Sequence, residues 1–200
     1  MSQPTLTDRV RALSSGFLKR AGHLLYRAGL HPDTITIAGL IVVMIASVVI
    51  AAGNLQWGGL ILLLGLPLDA LDGAVARAMQ RTGQFGAVLD STLDRYADGF
   101  IFAALSYHFA LEGRFHWMLL ALAALIGSYG VSYVRARAEG VGVGVKAGWF
   151  TRLERVAVIL AMLLIPPLLE IGLWVLAIGT NVTGLQRLWV VYKTLNKEKP

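Results

Sequence analysis

Cysteine is absent from this chain of 200 residues, which excludes disulfide bonds and thiolate metal sites. Charged residues are scarce at 15% of the sequence, whereas hydrophobic residues make up 56%. This balance excludes an ordinary soluble domain, in which about a quarter of the residues are charged. The first long apolar run begins near Ile35, too far along the chain for a cleavable signal peptide. We therefore expect an integral membrane protein.

Apolar runs of membrane-spanning length, about 20 residues each, follow one another along the chain. They cover residues 35–53, 57–76, 86–111, 115–138, 152–169 and 171–192. The pattern predicts an all-α membrane bundle of six transmembrane helices. Pro166-Pro167 between the last two runs is also compatible with a re-entrant turn.

The chain before the first run is amphipathic. Basic side chains lie among apolar ones over residues 5–29, which is typical of a helix lying in the membrane interface. Pro32 is expected to end this helix, and Thr34 or Thr36 to cap the next one. We predict a juxtamembrane helix at 1–30, a six-helix membrane domain at 31–195 and a tail at 196–200.

Lysine and arginine concentrate on one side of this six-span topology. The amino-terminal arm, the loop at 77–83, residues 135–155 and the tail all fall there, whereas Arg114 stands nearly alone on the other side. The positive-inside rule therefore predicts a multi-pass protein of the cell membrane with both termini cytoplasmic. These basic residues are not interleaved with aromatic residues that could stack on bases, so no nucleic-acid partner is expected.

Aspartates cluster at the cytoplasmic ends of the second and third runs. Asp69 and Asp72 share one helix face, and Asp90 and Asp94, followed by Asp98, form a stripe on the next helix. A charge inside a membrane costs roughly 2.5–3.5 kcal/mol on insertion scales, so these acids need a compensating partner. Clustered carboxylate oxygens are the ligands that Mg²⁺ prefers. The spacing predicts a metal site; a solvated helix face is the alternative, and it would imply a water-filled cavity.

Arginines form a second set of charges near the ends of the last three runs. Several guanidiniums side by side suit a substrate that carries its own phosphate, through bidentate contacts. The alternative is loop charge with snorkelling side chains at the span ends. The candidates for this phosphate-binding set are Arg135, Arg137, Arg152, Arg155 and Arg187.

The segment from Asp69 to Asp94 resembles the signature of the CDP-alcohol phosphotransferases, D-x2-D-G-x2-A-R-x8-G-x3-D-x3-D. The matching residues are Asp69, Asp72, Gly73, Ala76, Arg77, Gly86, Asp90 and Asp94. The resemblance implies a membrane enzyme, usually homodimeric, with a cytoplasm-facing site. It also implies two divalent ions, Mg²⁺ or else Mn²⁺, held by Asp69, Asp72, Asp90 and Asp94. In this family the last acid, here Asp94, is the general base.

The same resemblance implies where a CDP-diacylglycerol donor would bind. Gly73 leaves room for the cytidine and Arg77 pairs with a phosphate, beside Asp69. The stretch HPDTIT at 31–36 is similar to the family's Pro-x-x-x-Thr segment, which makes its polar residues nucleotide contacts: Asp33, Thr34 and Thr36. Relatives often carry Ser or Thr where this chain has Gly83, and the adjacent Thr82 is the expected substitute.

Beyond the core motif, the chain resembles the bacterial phosphatidylinositol phosphate synthases. The matching segments are LDSTLDRYAD at 89–98, RARAE at 135–139, Arg152 with Arg155, and Gln186-Arg187. The resemblance implies inositol 1-phosphate (also numbered as D-myo-inositol 3-phosphate) as the acceptor, and phosphatidylinositol phosphate and CMP as products.

Two other functions stay open at this point. A phosphatidylglycerophosphate synthase would also need arginines for its acceptor, glycerol 3-phosphate, but that group usually reads LDPxxDK where this chain has LDSTLDR. A divalent-ion transporter would also carry intramembrane aspartates, yet it would need neither the linked motif nor the arginine set.

Overall fold

The fold was obtained as a computed structural model, which describes residues 20–79, 84–145 and 147–197, without the side chain of Asp69. All regular structure in these ranges is helical, which confirms the predicted all-α class. Residues 20–27 form a short helix. The helices that follow are α1 Pro32–Ala51, α2 Leu55–Ala78, α3 Gln84–Leu111, α4 Phe115–Gly140, α5 Arg152–Leu164 and α6 Leu169–Lys197.

Four stretches of the described chain are long and apolar enough to cross a membrane: α1, α2, α4, and α6 with the turn before it. Helix α3 has sufficient length at 28 residues, but Asp90, Asp94 and Asp98 interrupt its apolar sequence. Helix α5 has only 13 residues, fewer than the about 20 that a span perpendicular to the bilayer needs. The six transmembrane spans therefore stay a prediction. The interfacial helix also stays a prediction, because the structure describes only residues 20–27 of its helical part.

Prolines define two helix boundaries. Helix α1 begins at Pro32, where a missing N–H costs nothing because the first helical turn leaves it unpaired. The expectation that Thr34 or Thr36 caps this helix is wrong, because both already lie inside it. Helix α5 ends at Leu164 rather than near 169, because Pro166–Leu168 forms a 3-10 turn that leads into α6.

The contacts divide the chain into two compact units. The first comprises residues 1–45 and 61–97, and α1 and α2 approach closely within it. A Cβ on Gly65 would lie 2.8 Å from Val42 Cγ1, so a larger residue at 65 would push the two helices apart. A Cβ on Gly22 would lie 2.8 Å from the backbone of Ala74, which shows that the helix at 20–27 packs directly on α2.

The second unit comprises residues 46–60 and 98–200. Its main packing is between α4 and α6, with α5 also against α6. Gly127 on α4 leaves space for Thr180 on α6, and Asn181 Nδ2 donates to the carbonyl oxygen of Ala123 at 2.9 Å. Gly127 therefore permits the close packing of α4 on α6. A buried core lines this interface, including Ala124, Val131, Leu173, Leu176 and Ala177.

Candidate active site

Asp72 is a buried acid of the motif with hydrogen bonds to both of its carboxylate oxygens. It lies on α2 with only 7% of its surface exposed. Thr36 Oγ1 on α1 donates to its Oδ2 at 2.8 Å, and the backbone N–H of Gly73 donates to its Oδ1. A buried carboxylate requires such donors, because removing a charge from water without hydrogen bonds is costly. The acid is therefore fixed in one orientation by two neighbouring groups.

Asp90 and Asp94 lie one turn apart on α3 and are both partly buried. Arg95 Nη1 lies 3.7 Å from Asp94 Oδ2 and also donates to the carbonyl oxygen of Ser91. Asp69 lies on α2 three residues before Asp72, with its side chain outside the described part. Among the side chains that are described, no three histidines, cysteines or acids group closely enough to hold a metal ion.

The donor set of the motif nevertheless fits a hard divalent cation. Its acids offer only carboxylate oxygens, the ligands that Mg²⁺ takes. Both oxygens of Asp72 accept hydrogen bonds, as metal-binding carboxylates commonly do in proteins. Asp69, Asp72, Asp90 and Asp94 belong to the same compact unit of the chain.

The candidate nucleotide contacts are distributed over α1 and α2. Asp33 lies in the first turn of α1, where His31 Nδ1 approaches its Oδ2 to 3.5 Å, and Thr34 is exposed. Arg77 is exposed in the last turn of α2, and a Cβ on Gly73 would lie 3.3 Å from Arg77 Nη1. Arg77 therefore bends back over Gly73. Thr82 and Gly83 lie outside the described residues.

Arg155 is one of two buried arginines in the predicted phosphate-binding set. It lies in the first turn of α5, and 4% of its surface is exposed. Its Nη2 donates to Asp98 Oδ2 on α3 at 3.1 Å. Within the described part of the chain, no group accepts a hydrogen bond from its buried Nε. A buried donor without a partner costs about 1–3 kcal/mol, so this position favours a ligand that accepts hydrogen bonds.

Arg187 on α6 is also buried, with 4% of its surface exposed, but two of its donors are in use. Its Nη1 donates to the carbonyl oxygen of Val131 on α4 at 2.9 Å, and its Nε to that of Ala147 at 2.8 Å. The charges of Arg135 and Arg155 act on Arg187, and so does that of Glu139. The guanidiniums of Arg135 and Arg155 are thus both within electrostatic range of Arg187 in the second unit.

The remaining arginines of the set are exposed. Arg135 Nε forms an ion pair with Glu139 Oε1 at 2.9 Å, one turn further along α4. Arg137 projects from the last turn of α4 and Arg152 from the first turn of α5. The buried core of the arginine set is therefore Arg155 with Arg187, and Arg135 lies at its exposed edge.

Sequence reasoning missed two acids that belong to this arginine set. Asp98 follows Asp90 and Asp94 at helical spacing in the sequence, yet its carboxylate pairs with Arg155. Glu139 was not singled out, although its i,i+4 spacing from Arg135 on a helix is a signal for an ion pair. No local signal could have linked Asp98 to Arg155, because the two residues are 57 positions apart.

The family of the chain follows from comparison with known proteins. Residues 29–185 match the sequence model of the CDP-alcohol phosphatidyltransferases, a range that includes the aspartate motif and every arginine of the set except Arg187. The chain belongs to this family. The expected enzyme class, phosphatidyltransferases of phospholipid biosynthesis, is thereby confirmed.

Two relatives within this family are similar to the chain over most of its length. The chain is 40% identical to the archaetidylinositol phosphate synthase of Pyrococcus horikoshii, over 95% of this chain and 98% of the relative. It is 39% identical to the phosphatidylinositol phosphate synthase of Mycobacteroides abscessus, over 84% and 80% of the two chains.

Solved structures of a mycobacterial phosphatidylinositol phosphate synthase have a fold similar to that of this chain. The crystal structure of phosphatidylinositol phosphate synthase from Mycobacterium tuberculosis with CDP-DAG bound has a TM-score of 0.83 and 33% identity, over 88% of this chain and 93% of that one. The same mycobacterial enzyme has also been solved in complex with manganese and citrate, with a TM-score of 0.82.

Proposed function

We propose that the protein transfers the phosphatidyl group of CDP-diacylglycerol to a hydroxyl of inositol 1-phosphate, which releases CMP and forms phosphatidylinositol phosphate. The observation that carries this proposal is the buried Arg155, whose Nη2 is held by Asp98 while its Nε has no partner in the described chain. A phosphate on the acceptor would accept from that donor. Two relatives are named phosphatidylinositol phosphate synthase and archaetidylinositol phosphate synthase, and these names support the same acceptor.

The arginine cluster has the charge that a phosphorylated acceptor needs. Arg135 and Arg155 both repel Arg187, so an anion among them would relieve this repulsion. Glu139 offsets part of the charge at the exposed edge, through its pair with Arg135. Arg137 and Arg152 are the further candidates for contacts with the acceptor, at the ends of α4 and α5.

Asp94 is the proposed general base. It would take the proton from the attacking hydroxyl of the acceptor, a role worth about 10²–10⁴-fold in rate. The hydroxyl oxygen then bonds to the β-phosphorus of the donor, and the bond from that phosphorus to the oxygen of CMP breaks. Arg77 would pair with a donor phosphate, while Gly73, Asp33 and Thr34 would lie near the nucleotide, as Thr82 and Gly83 would in the family pattern.

Asp69, Asp72, Asp90 and Asp94 would hold two divalent ions, Mg²⁺ or Mn²⁺. When bound, such ions neutralise the pyrophosphate oxygens and stabilise the leaving group. Manganese in the crystal structure of the mycobacterial relative supports a divalent-metal site in this family. The protein's own part is to orient the four carboxylates and to keep Asp94 available for the proton.

The membrane arrangement is part of the proposal. Six spans would place both termini, the aspartates and the arginines on the cytoplasmic side of the cell membrane, as the distribution of basic residues indicates. Residues 1–30 would lie in the interface, followed by the membrane domain at 31–195 and the tail at 196–200. The protein would act as a homodimer, as is usual in the family.

The test is CMP release by purified protein in detergent with CDP-diacylglycerol and Mg²⁺. Inositol 1-phosphate, glycerol 3-phosphate, free inositol and serine are supplied in separate reactions. A parallel series uses the ether-lipid donor CDP-archaeol, because one relative makes an archaetidyl lipid. Turnover only with inositol phosphate is expected. Turnover with glycerol 3-phosphate instead would identify a phosphatidylglycerophosphate synthase and overturn the proposed acceptor.

A further inference from the structure

We propose that Thr36 is a positioning residue for the metal-binding carboxylate of Asp72, rather than a contact of the nucleotide. This inference rests on the proposed function, because it concerns the divalent ion that Asp72 would hold. Its basis is the hydrogen bond from Thr36 Oγ1 to Asp72 Oδ2 at 2.8 Å. That bond crosses from α1 to α2 and connects residues 36 positions apart.

The hydroxyl of Thr36 has one proton and two neighbouring acceptors. The carbonyl oxygen of Pro32 lies 3.1 Å away, one turn back on α1, and Asp72 Oδ2 lies 2.8 Å away. A charged carboxylate forms shorter and stronger hydrogen bonds than a neutral carbonyl. The proton of Thr36 is therefore directed to Asp72, and the Pro32 carbonyl stays in range as a second acceptor.

Close packing of α1 and α2 makes this bond possible. A Cβ at Gly65 would lie 2.8 Å from Val42 Cγ1, so the two helices approach as closely as a glycine permits. Gly39 lies on the same side of α1, where its Cβ would be 3.9 Å from Leu68 Cβ. Ile35, the neighbour of Thr36, is buried in the core of this unit together with Val75. This close approach of α1 and α2 brings Thr36 within hydrogen-bonding distance of Asp72.

Two hydrogen-bond donors hold the carboxylate of Asp72, one on each of its oxygens. Gly73 N–H donates to Oδ1 and Thr36 Oγ1 donates to Oδ2, so these two donors orient the carboxylate. Groups that orient a metal ligand in this way typically contribute about 10- to 100-fold to metal affinity when they are tested by mutation. Loss of the Thr36 hydroxyl is expected to weaken metal binding to that extent.

The experiment measures Mn²⁺ binding by the full-length protein in detergent micelles, with the EPR signal of the free ion as the readout and no lipid substrate present. Thr36→Val keeps the shape of the side chain and removes the donor, whereas Thr36→Ser keeps the donor. Thr194→Val is the matched control, because Thr194 Oγ1 also donates to the carbonyl four residues back, Val190, at 3.0 Å. Asp72→Asn reports on the proposed metal site itself.

The expected result is a dissociation constant for Mn²⁺ raised about 10- to 100-fold in Thr36→Val, with Thr36→Ser and Thr194→Val close to the unmodified protein. Unchanged Mn²⁺ binding by Thr36→Val, with binding lost in Asp72→Asn, would overturn the role of Thr36 and leave the metal site in place. Unchanged binding in Asp72→Asn would overturn the metal assignment of Asp72 and this inference with it.

A second measurement separates positioning from nucleotide contact. CMP affinity is determined in EDTA, where no divalent ion contributes. A positioning residue leaves this affinity unchanged in Thr36→Val, whereas weaker CMP binding combined with unchanged Mn²⁺ binding would identify a nucleotide contact and overturn the proposal. Thr36→Ala removes the same hydroxyl and repeats both measurements if the valine variant proves unstable.

Discussion

Arg155 and Asp98 form a buried ion pair between α5 and α3, with 3.1 Å between Nη2 and Oδ2. Their side chains are 5% and 12% exposed, so water screens the pair little. The pair holds one edge of the Arg155 guanidinium and leaves Nε directed elsewhere without a described acceptor. An arginine held in this way is already ordered for a phosphate, and less entropy is lost when one binds.

Asp98→Asn is expected to lower the stability of the protein by about 3–5 kcal/mol, because it leaves the buried charge of Arg155 without its counter-ion. Thermal unfolding in detergent measures the change. The double variant Asp98→Leu with Arg155→Met should lose less stability than the sum of the losses in the single variants Asp98→Leu and Arg155→Met. Strictly additive losses would show that the two residues do not depend on each other.

Arg155→Ala is expected to raise the KM for the acceptor phosphate more than the KM for CDP-diacylglycerol. Arg155→Lys should recover only part of the loss, because an ammonium lacks the planar fork of a guanidinium. Steady-state CMP release at varied concentrations of each substrate provides both constants. Lys193→Ala is the control, since Lys193 is an exposed cation lying over the Trp189 ring. Equal increases in both KM values would argue against a phosphate-binding role for Arg155.

Asp94→Asn is expected to reduce turnover by about 10²–10⁴-fold, because the amide cannot accept the proton of the attacking hydroxyl. Nucleotide binding should largely persist, and equilibrium binding of CMP measures it separately. Glu112→Gln provides a control carboxylate outside the motif, which lies beside His108. Turnover close to that of the unmodified protein would remove Asp94 from the role of base.

Asp69→Asn and Asp90→Asn are each expected to weaken metal binding and to raise the Mg²⁺ concentration that half-maximal activity requires. The reason is that an amide offers one neutral oxygen where a carboxylate offers two charged ones. Activity is followed during Mg²⁺ titration after EDTA treatment. Full activity in either variant, with an unchanged Mg²⁺ concentration for half-maximal activity, would contradict the metal assignment.

Gly127→Ala is expected to destabilise the α4–α6 interface by about 1–3 kcal/mol, as overpacking does. Its Cβ would overlap with Thr180 Oγ1 and lie 2.8 Å from the backbone nitrogen of Asn181. Gly130→Ala on the same helix is the matched control, because its Cβ would meet nothing within 4 Å. Thermal unfolding should show a lower Tm for the first variant and an unchanged or higher Tm for the second.

Much of the helical layout was predictable from the sequence. The apolar runs at 35–53 and 115–138 correspond to α1 and α4 within a few residues at each end, because a run of apolar side chains bounded by glycine and polar residues is a local signal. The exceptions arise at prolines. Pro32 begins α1 earlier than the threonines suggested, and Pro166 ends α5 sooner than the apolar run does.

The candidate site was predictable in its residue types but not in its partners. The spacing of Asp69, Asp72, Asp90 and Asp94 along two helices indicates shared faces, since helical periodicity is set by the backbone alone. The role of Arg187 illustrates what spacing cannot show. Its guanidinium binds the carbonyl oxygens of Val131 and Ala147, and neither backbone acceptor leaves a trace in side-chain patterns.

The sequence by itself determined the helical class, the positions of most helices, the aspartate motif and the family. Helical periodicity indicates the class and the helix positions, and the fixed spacing of the aspartates indicates the motif and the family. The tertiary structure alone decided that Thr36 holds Asp72 and that Asp98 pairs with Arg155. Such pairs depend on how far one helix slides and turns against another, which is set by side-chain fit at contacts such as Gly65 with Val42. Residues tens of positions apart therefore meet only once the helices have packed.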